Sequence, residues 1–144
     1  MILFVCTGNT CRSPMAQALL EKRLSDSGSD LSVKSCGIFV TDSIASTGAR
    51  NTMDAMGLSL TTHQPTQMRK ELIDSAALVL TMTAYHQQVV TDHFPEASDK
   101  VYTLHSYANN NPLDVADPYG GPDSLYMQTA QELKNLIEAM DLPQ

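Results

Sequence analysis

The 144 residues carry 16 acidic against 9 basic side chains, a formal charge of -7, with 42% apolar and 17% charged residues. That balance offers no basic footprint for a nucleic-acid backbone, and no apolar run approaches the roughly 20 residues needed to span a bilayer. Met1-Ile2-Leu3-Phe4-Val5 has no basic stretch before it and no small-residue cleavage site after it, so a cytoplasmic protein without nucleic-acid or membrane partners is expected, folded as one domain over residues 1–144.

Ile2 to Val5 is a short apolar run that reads as a strand. Ser13-Pro14 reads as a helix start, with Ser13 able to cap and Pro14 where its missing N–H is harmless, so residues 6–13 join a strand to a helix. Met15, Ala16, Leu19, Leu20 and Leu24 carry that helix to Asp26-Ser27-Gly28, and Leu31 and Val33 alternate toward Gly37 as a second strand. Ala45, Ala49, Met53 and Met56 share a face of a second helix from Ala45 to Met56, which Gly57 can end.

Glu71, Leu72 and Ile73 suit a short helix, and Ala76 to Met82 is the continuous apolar stretch of a strand buried on both faces. A helix is expected from Ala84 to His93, stopped by Pro95, then a fourth strand from Val101 to Leu104 and a loop at Asn109-Asn110-Asn111-Pro112. Tyr126, Ala130, Leu133, Leu136, Ile137 and Met140 form the stripe of a last helix after Pro122. The alternation predicts an α/β fold: a three-layer, doubly wound, four-stranded parallel sheet flanked by helices. Ligands of such sheets bind beyond the carboxyl ends of the strands, where the topology switches direction, and the loop at 6–13 follows strand one.

That loop, within VCTGNTCRSP at residues 5–14, admits several readings. A closed zinc site needs four ligands, and beyond Cys6 and Cys11 only Cys36 and scattered histidines remain, so no metal is expected. Three cysteines in a chain of this size suit thiols better than a disulfide framework, with Cys36 read as buried packing. A nucleotide P-loop is excluded, since no Gly-x4-Gly-Lys-Ser/Thr pattern occurs.

The anion reading uses more of the residues. No proline interrupts Thr7 to Ser13, so every backbone N–H is available, and Gly8 permits the dihedrals that turn those groups inward. The nest opens onto a helix start, whose free N–H groups also favour negative charge. Arg12 adds a planar fork for two phosphate oxygens. Cys6 beneath the ring would have its thiolate stabilised by the same field, making it a nucleophile at neutral pH. A phosphate cradle over a thiolate is a phosphatase site.

The string CTGNTCRSP resembles the low-molecular-weight protein tyrosine phosphatase family, whose loop has the form Cys-x-Gly-Asn-x-Cys-Arg-Ser-Pro, and Asp117-Pro118-Tyr119 stands where that family has an Asp-Pro-aromatic element. The resemblance covers essentially the whole chain. It implies a phosphocysteine mechanism without metal or cofactor, in which Cys6 attacks phosphorus, Arg12 and the amides of Thr7 through Ser13 hold the oxygens, and Asp117 protonates the leaving group. Water activated by Asp117 then releases inorganic phosphate. Asp114 is the competing carboxylate, but Asp117 matches the motif.

Asn9, Ser13, Ser35 and His63 match family positions that brace the loop, and Cys11 can capture an oxidised Cys6 as a reversible disulfide. Thr10 stands where tyrosine-directed members carry Leu or Ile, as in a subgroup resembling the bacterial protein arginine phosphatases, which share CTGNTCRSPMA and the DPYGG region. That implies phosphoarginine in proteins as the substrate, with Tyr119 as a pocket wall. Guanidine is a more basic leaving group than phenolate, with reference pKa values of about 12.5 or above against about 10, so Asp117 must protonate the departing nitrogen.

Phosphotyrosine proteins are the alternative substrate for the same residues, and a non-catalytic phosphoprotein-binding module is the alternative of another class. Retention of both Cys6 and Asp117 argues against the module, because binding needs neither. A thiol-coupled arsenate reductase would need two further cysteines in a later segment, and residues 80–95 contain none.

Overall fold

Four short strands, Ile2–Cys6 (β1), Val33–Gly37 (β2), Leu78–Thr81 (β3) and Val101–Thr103 (β4), form one parallel sheet in the order β2-β1-β3-β4 in the computed structural model, which describes residues 1–143. Every residue of β1 is buried, as an apolar strand covered on both faces requires. Ile2, Phe4 and Cys6 face one core and Leu3 and Val5 the other, the period-two alternation of a pleated strand.

The first core is closed by Arg12–Ser27 (α1), Thr47–Ala55 (α2), Leu104–Asn109 (α5) and Asp123–Ala139 (α6), through Met15, Leu20, Ala49, Met53, Leu104, Leu133 and Ile137. Lys70–Ser75 (α3), Ala84–His93 (α4) and a 3-10 turn over Pro95–Lys100 cover the second, through Leu72, Ile73, Val90 and Ala97. These are the three layers expected. The chain leaves β1 for β2 on one side and later places β3 on the other, so the switch point lies at the carboxyl end of β1.

Four boundaries differ from the expectation, each for a local reason. Ser13 does not cap α1; the cap position is Cys11, without a side-chain cap bond, and Ser13 lies in the first turn with its hydroxyl committed to Cys6. Pro14 remains in that first turn, where no intrahelical donor is needed. The second helix starts at Thr47 rather than Ala45, because the Ser46 hydroxyl accepts the Ala49 N–H at 3.2 Å and fixes the start. Leu104 opens α5 instead of ending β4, since the Thr103 hydroxyl accepts from Ser106 N–H at 3.2 Å. The third apolar run pairs only from Leu78, because Ala76 still terminates α3.

Candidate active site

The loop between β1 and α1 is shaped by what its carbonyls do. The Cys6 carbonyl accepts from Ile38 N–H at 3.0 Å, that of Thr7 from Phe39 N–H at 2.9 Å, and that of Thr10 from Ser46 N–H at 3.0 Å. The Asn9 carbonyl accepts from His63 Nε2 at 2.8 Å. Every one of these oxygens is drawn outward by a neighbouring segment. The N–H groups of Gly8 to Cys11, which have no backbone carbonyl partner among the described residues, are left for the concave side. Asn9 completes the curl with φ 57, a left-handed conformation that asparagine tolerates better than most residues.

Asn9 also ties the loop together through its side chain. Its Oδ1 accepts from Thr66 N–H at 2.9 Å, which fixes the amide orientation, and its Nδ2 donates to Ser13 Oγ at 2.7 Å and to Ser35 Oγ at 3.0 Å. Both hydroxyls thus act as acceptors toward Asn9 and send their own protons elsewhere. Ser35 donates to Gln17 Oε1 at 2.6 Å, and Ser13 faces Cys6 Sγ at 2.8 Å. A relay of four polar side chains ends on the sulfur.

Cys6 is 2% exposed, and burial raises its thiol above the ordinary value of 9.0. The Ser13 hydroxyl, the Ser13 amide, the Arg12 guanidinium and the Asn9 amide all pull it down, but burial is the largest influence. The field expected from the sequence is therefore present: the loop donors and Arg12 favour the thiolate, and burial is the influence they work against. Cys36 is fully buried in β2, as read from the sequence, and its thiol is pushed up to about 12 by burial.

Arg12 extends from the first turn of α1 to meet the segment before α6. Its Nη1 donates to the Val115 carbonyl at 2.8 Å, and its Nη2 lies 3.6 Å from Asp117 Oδ2. Val115 is itself pinned by its N–H to the Met82 carbonyl at 2.8 Å, just past β3. So the end of β3 positions Val115, and Val115 positions both the guanidinium and, two residues on, the carboxylate. Asp117 uses Oδ1 to accept the Tyr119 N–H at 3.1 Å, an Asx turn, and keeps Oδ2 toward Arg12. The turn thus sets the direction in which the second carboxylate oxygen points. Asp114 points elsewhere, accepting the Ala84 N–H at the start of α4 at 2.9 Å.

These groups line one cavity of about 280 Å3, bounded by Cys6, Thr7, Gly8, Thr10, Cys11 and Arg12 from the loop and by Phe39, Thr41, Asp42, Asp117 and Tyr119 from other segments. The family model for low molecular weight phosphotyrosine protein phosphatase matches residues 1–141. The chain belongs to the low molecular weight protein tyrosine phosphatase family. It is 44% identical over 140 residues to a protein-arginine-phosphatase of Geobacillus stearothermophilus, covering 96% of this chain and 92% of that one. It is 35% identical to the low molecular weight protein-tyrosine-phosphatase PtpB of Staphylococcus aureus, covering 94% and 93%. A solved cysteine-to-serine mutant of the YwlE arginine phosphatase, with a phosphorylated active-site serine, superposes with a TM-score of 0.92 at 38% identity, covering 96% and 91%.

Within this family member, the site residues expected from the sequence meet at the loop or directly behind it, and the competing carboxylate Asp114 does not. Ser35 and His63 lie behind, and burial lowers the His63 pKa below 6.5, which suits a neutral ring donating from Nε2. Tyr119 is 66% exposed, so it is a wall and not core. Cys11 touches Ser46 Oγ at 3.1 Å and the Tyr126 hydroxyl at 3.5 Å, and burial pushes the Tyr126 hydroxyl up to about 12.

Sequence reasoning missed Phe39, Thr41 and Asp42, which follow β2 and carry no local motif, and His86, a buried ring whose Nε2 lies 2.9 Å from Thr7 Oγ1. It also missed Gln17 and Thr66, whose roles exist only through Ser35 and Asn9. Periodicity would have assigned Gln17 to the polar side of α1. A second cavity, of about 380 Å3, lies behind the loop against Gln17, Ser35, His63 and Thr66, and opens onto the bracing network rather than the sulfur.

Proposed function

We propose that this phosphatase hydrolyses phosphoarginine in proteins, acting in the cytoplasm as a single domain over residues 1–144. The observation that supports the catalytic part is the convergence of outward-turned carbonyls, inward N–H groups and Arg12 around Cys6, with Asp117 across the cavity. Such a cradle is preorganised for the charge that builds on phosphoryl oxygens.

Cys6 Sγ, as thiolate, attacks phosphorus while the phosphorus–nitrogen bond breaks, and the Asp117 carboxyl gives its proton to the departing guanidine nitrogen. A water then attacks the phosphocysteine, the Asp117 carboxylate takes its proton, the sulfur–phosphorus bond breaks, and inorganic phosphate leaves. The loop amides and Arg12 hold the three oxygens throughout. Thr10 on the wall gives the guanidine a polar contact where an aliphatic side chain would pack a phenyl ring. The similarity to an arginine phosphatase supports the same choice.

Side-by-side turnover of phosphoarginine and phosphotyrosine proteins tests this reading. Faster release of phosphate from phosphoarginine is expected, and a preference for phosphotyrosine would overturn it. Phosphate trapped on Cys6 in an Asp117→Ala variant separates an enzyme from a binding module, which would hold phosphate tightly without covalent transfer.

A further inference from the structure

Asp42 lies in the segment between β2 and α2, is exposed, and lines the cavity that holds Cys6, Arg12 and Asp117. The site must receive a dianion, and a carboxylate on its wall repels one. Asp117 has a reason to be there, as proton donor and partner of Arg12. Asp42 has no such role: the ion pairs among the described residues do not include it, and nothing in the relay that ends on Cys6 uses it. It also lines the adjoining groove with Arg50, but no ion pair joins the two. An unneutralised carboxylate over an anion cradle is favourable when the group carrying the phosphoryl is a cation.

With the phosphoryl group held by the cradle amides and Arg12, the group that carries it meets the rest of the cavity lining, which includes Phe39, Asp42, Asp117 and Tyr119. A guanidinium can present flat faces to the two aromatic rings and N–H edges to the Asp42 carboxylate and the Asp117 carboxyl group. A phenyl ring would use the aromatic faces and gain nothing from Asp42.

We infer that Asp42 is a specificity-determining residue, a second carboxylate that with Asp117 makes the cavity wall favour a phosphoryl group carried on a cation. This rests on the phosphoarginine reading above and adds a residue to it. Because Asp42 is exposed and touches no reacting atom, its contribution is to recognition, carried by KM more than by kcat.

The test compares wild type with Asp42→Asn and Asp42→Lys on a phosphoarginine protein and on p-nitrophenyl phosphate, whose leaving group has no cationic form. Asp42→Asn should lower kcat/KM on phosphoarginine about three- to fivefold, the range of an exposed charge pair, while leaving or raising it on p-nitrophenyl phosphate. Asp42→Lys should widen that divergence, and ~0.5 M salt should narrow it. Equal changes on both substrates, or none, would overturn the role of Asp42. Failure of the underlying reading shows separately, as a wild-type enzyme that prefers phosphotyrosine whatever residue 42 is.

Discussion

A Cβ built on Gly37 would lie 2.6 Å from the Thr7 carbonyl oxygen and 2.9 Å from the Asn9 nitrogen. The last residue of β2 is therefore pressed backbone to backbone against the phosphate loop, and only glycine allows the approach. Gly37→Ala should displace the loop, because the two loop atoms it meets are main chain and, unlike the Val40 side chain also within 2.9 Å, cannot rotate away. We expect kcat/KM to fall at least about tenfold while the melting temperature falls by only a few degrees. An activity loss no larger than the stability loss would refute this coupling.

Among the described residues, Ser13 is the side chain hydrogen-bonded to Cys6 Sγ, and removing its hydroxyl leaves burial less opposed. In Ser13→Ala the thiol should titrate at higher pH than in wild type. The pH dependence of iodoacetamide alkylation at Cys6 reads this directly: its midpoint moves upward, and the acid limb of the pH–rate profile moves with it. An unmoved midpoint would mean that the hydroxyl does not serve the thiolate.

His86 is 1% exposed, and burial together with the Arg12 charge lowers its pKa to about 4, while Asp114 and Asp117 pull the other way. Its Nδ1 has no partner among the described residues, which a neutral ring tolerates as an unused acceptor when Nε2 donates to Thr7. The unfolded chain binds a proton near the ordinary 6.5 that the folded protein refuses until about 4. This contribution to stability is complete above about pH 6.5 and is lost as the pH falls toward 4. Urea unfolding across that window should show a steeper loss in wild type than in His86→Gln, and parallel curves would exclude His86 as the source.

Thr10 is 7% exposed, with its hydroxyl in the cavity wall next to Cys11. Thr10→Ile should reverse the order of phosphoarginine and phosphotyrosine turnover. The same preference in both proteins would remove Thr10 from the account of specificity.

Cys6 and Cys11 line one cavity as free thiols. Peroxide would oxidise Cys6 to the sulfenic acid, which Cys11 can attack with loss of water to form a disulfide. Wild type should therefore regain activity with dithiothreitol after peroxide treatment, whereas Cys11→Ser should not. Equal recovery would show that Cys11 offers no protection.

The core and the reacting groups were legible because they obey local rules. β1 and α6 declare themselves by burial and by a helical stripe, and Cys6, Gly8, Arg12 and Ser13 by their spacing around one turn. α5 and the 3-10 turn did not, since six-residue polar segments carry too little periodicity to register. Ser13 looked like a cap because a serine before a proline at a helix start ordinarily is one; the sulfur 2.8 Å away competes for that hydroxyl. Phe39 and Asp42 reach the cavity, and His86 reaches Thr7, only through pairings across the sheet, which no short window contains.

The cradle is held by residues from Ser35 to Val115, drawn from four separate stretches of the chain, although its own atoms span less than a tenth of it. A nascent chain that has formed β1 and α1 therefore possesses the nucleophile without the curvature that makes it useful. Catalytic competence requires every anchor to be docked, and under gentle denaturation it should disappear while most of the helical signal survives. The enzyme's turnover is in this sense a reporter of its own completed assembly.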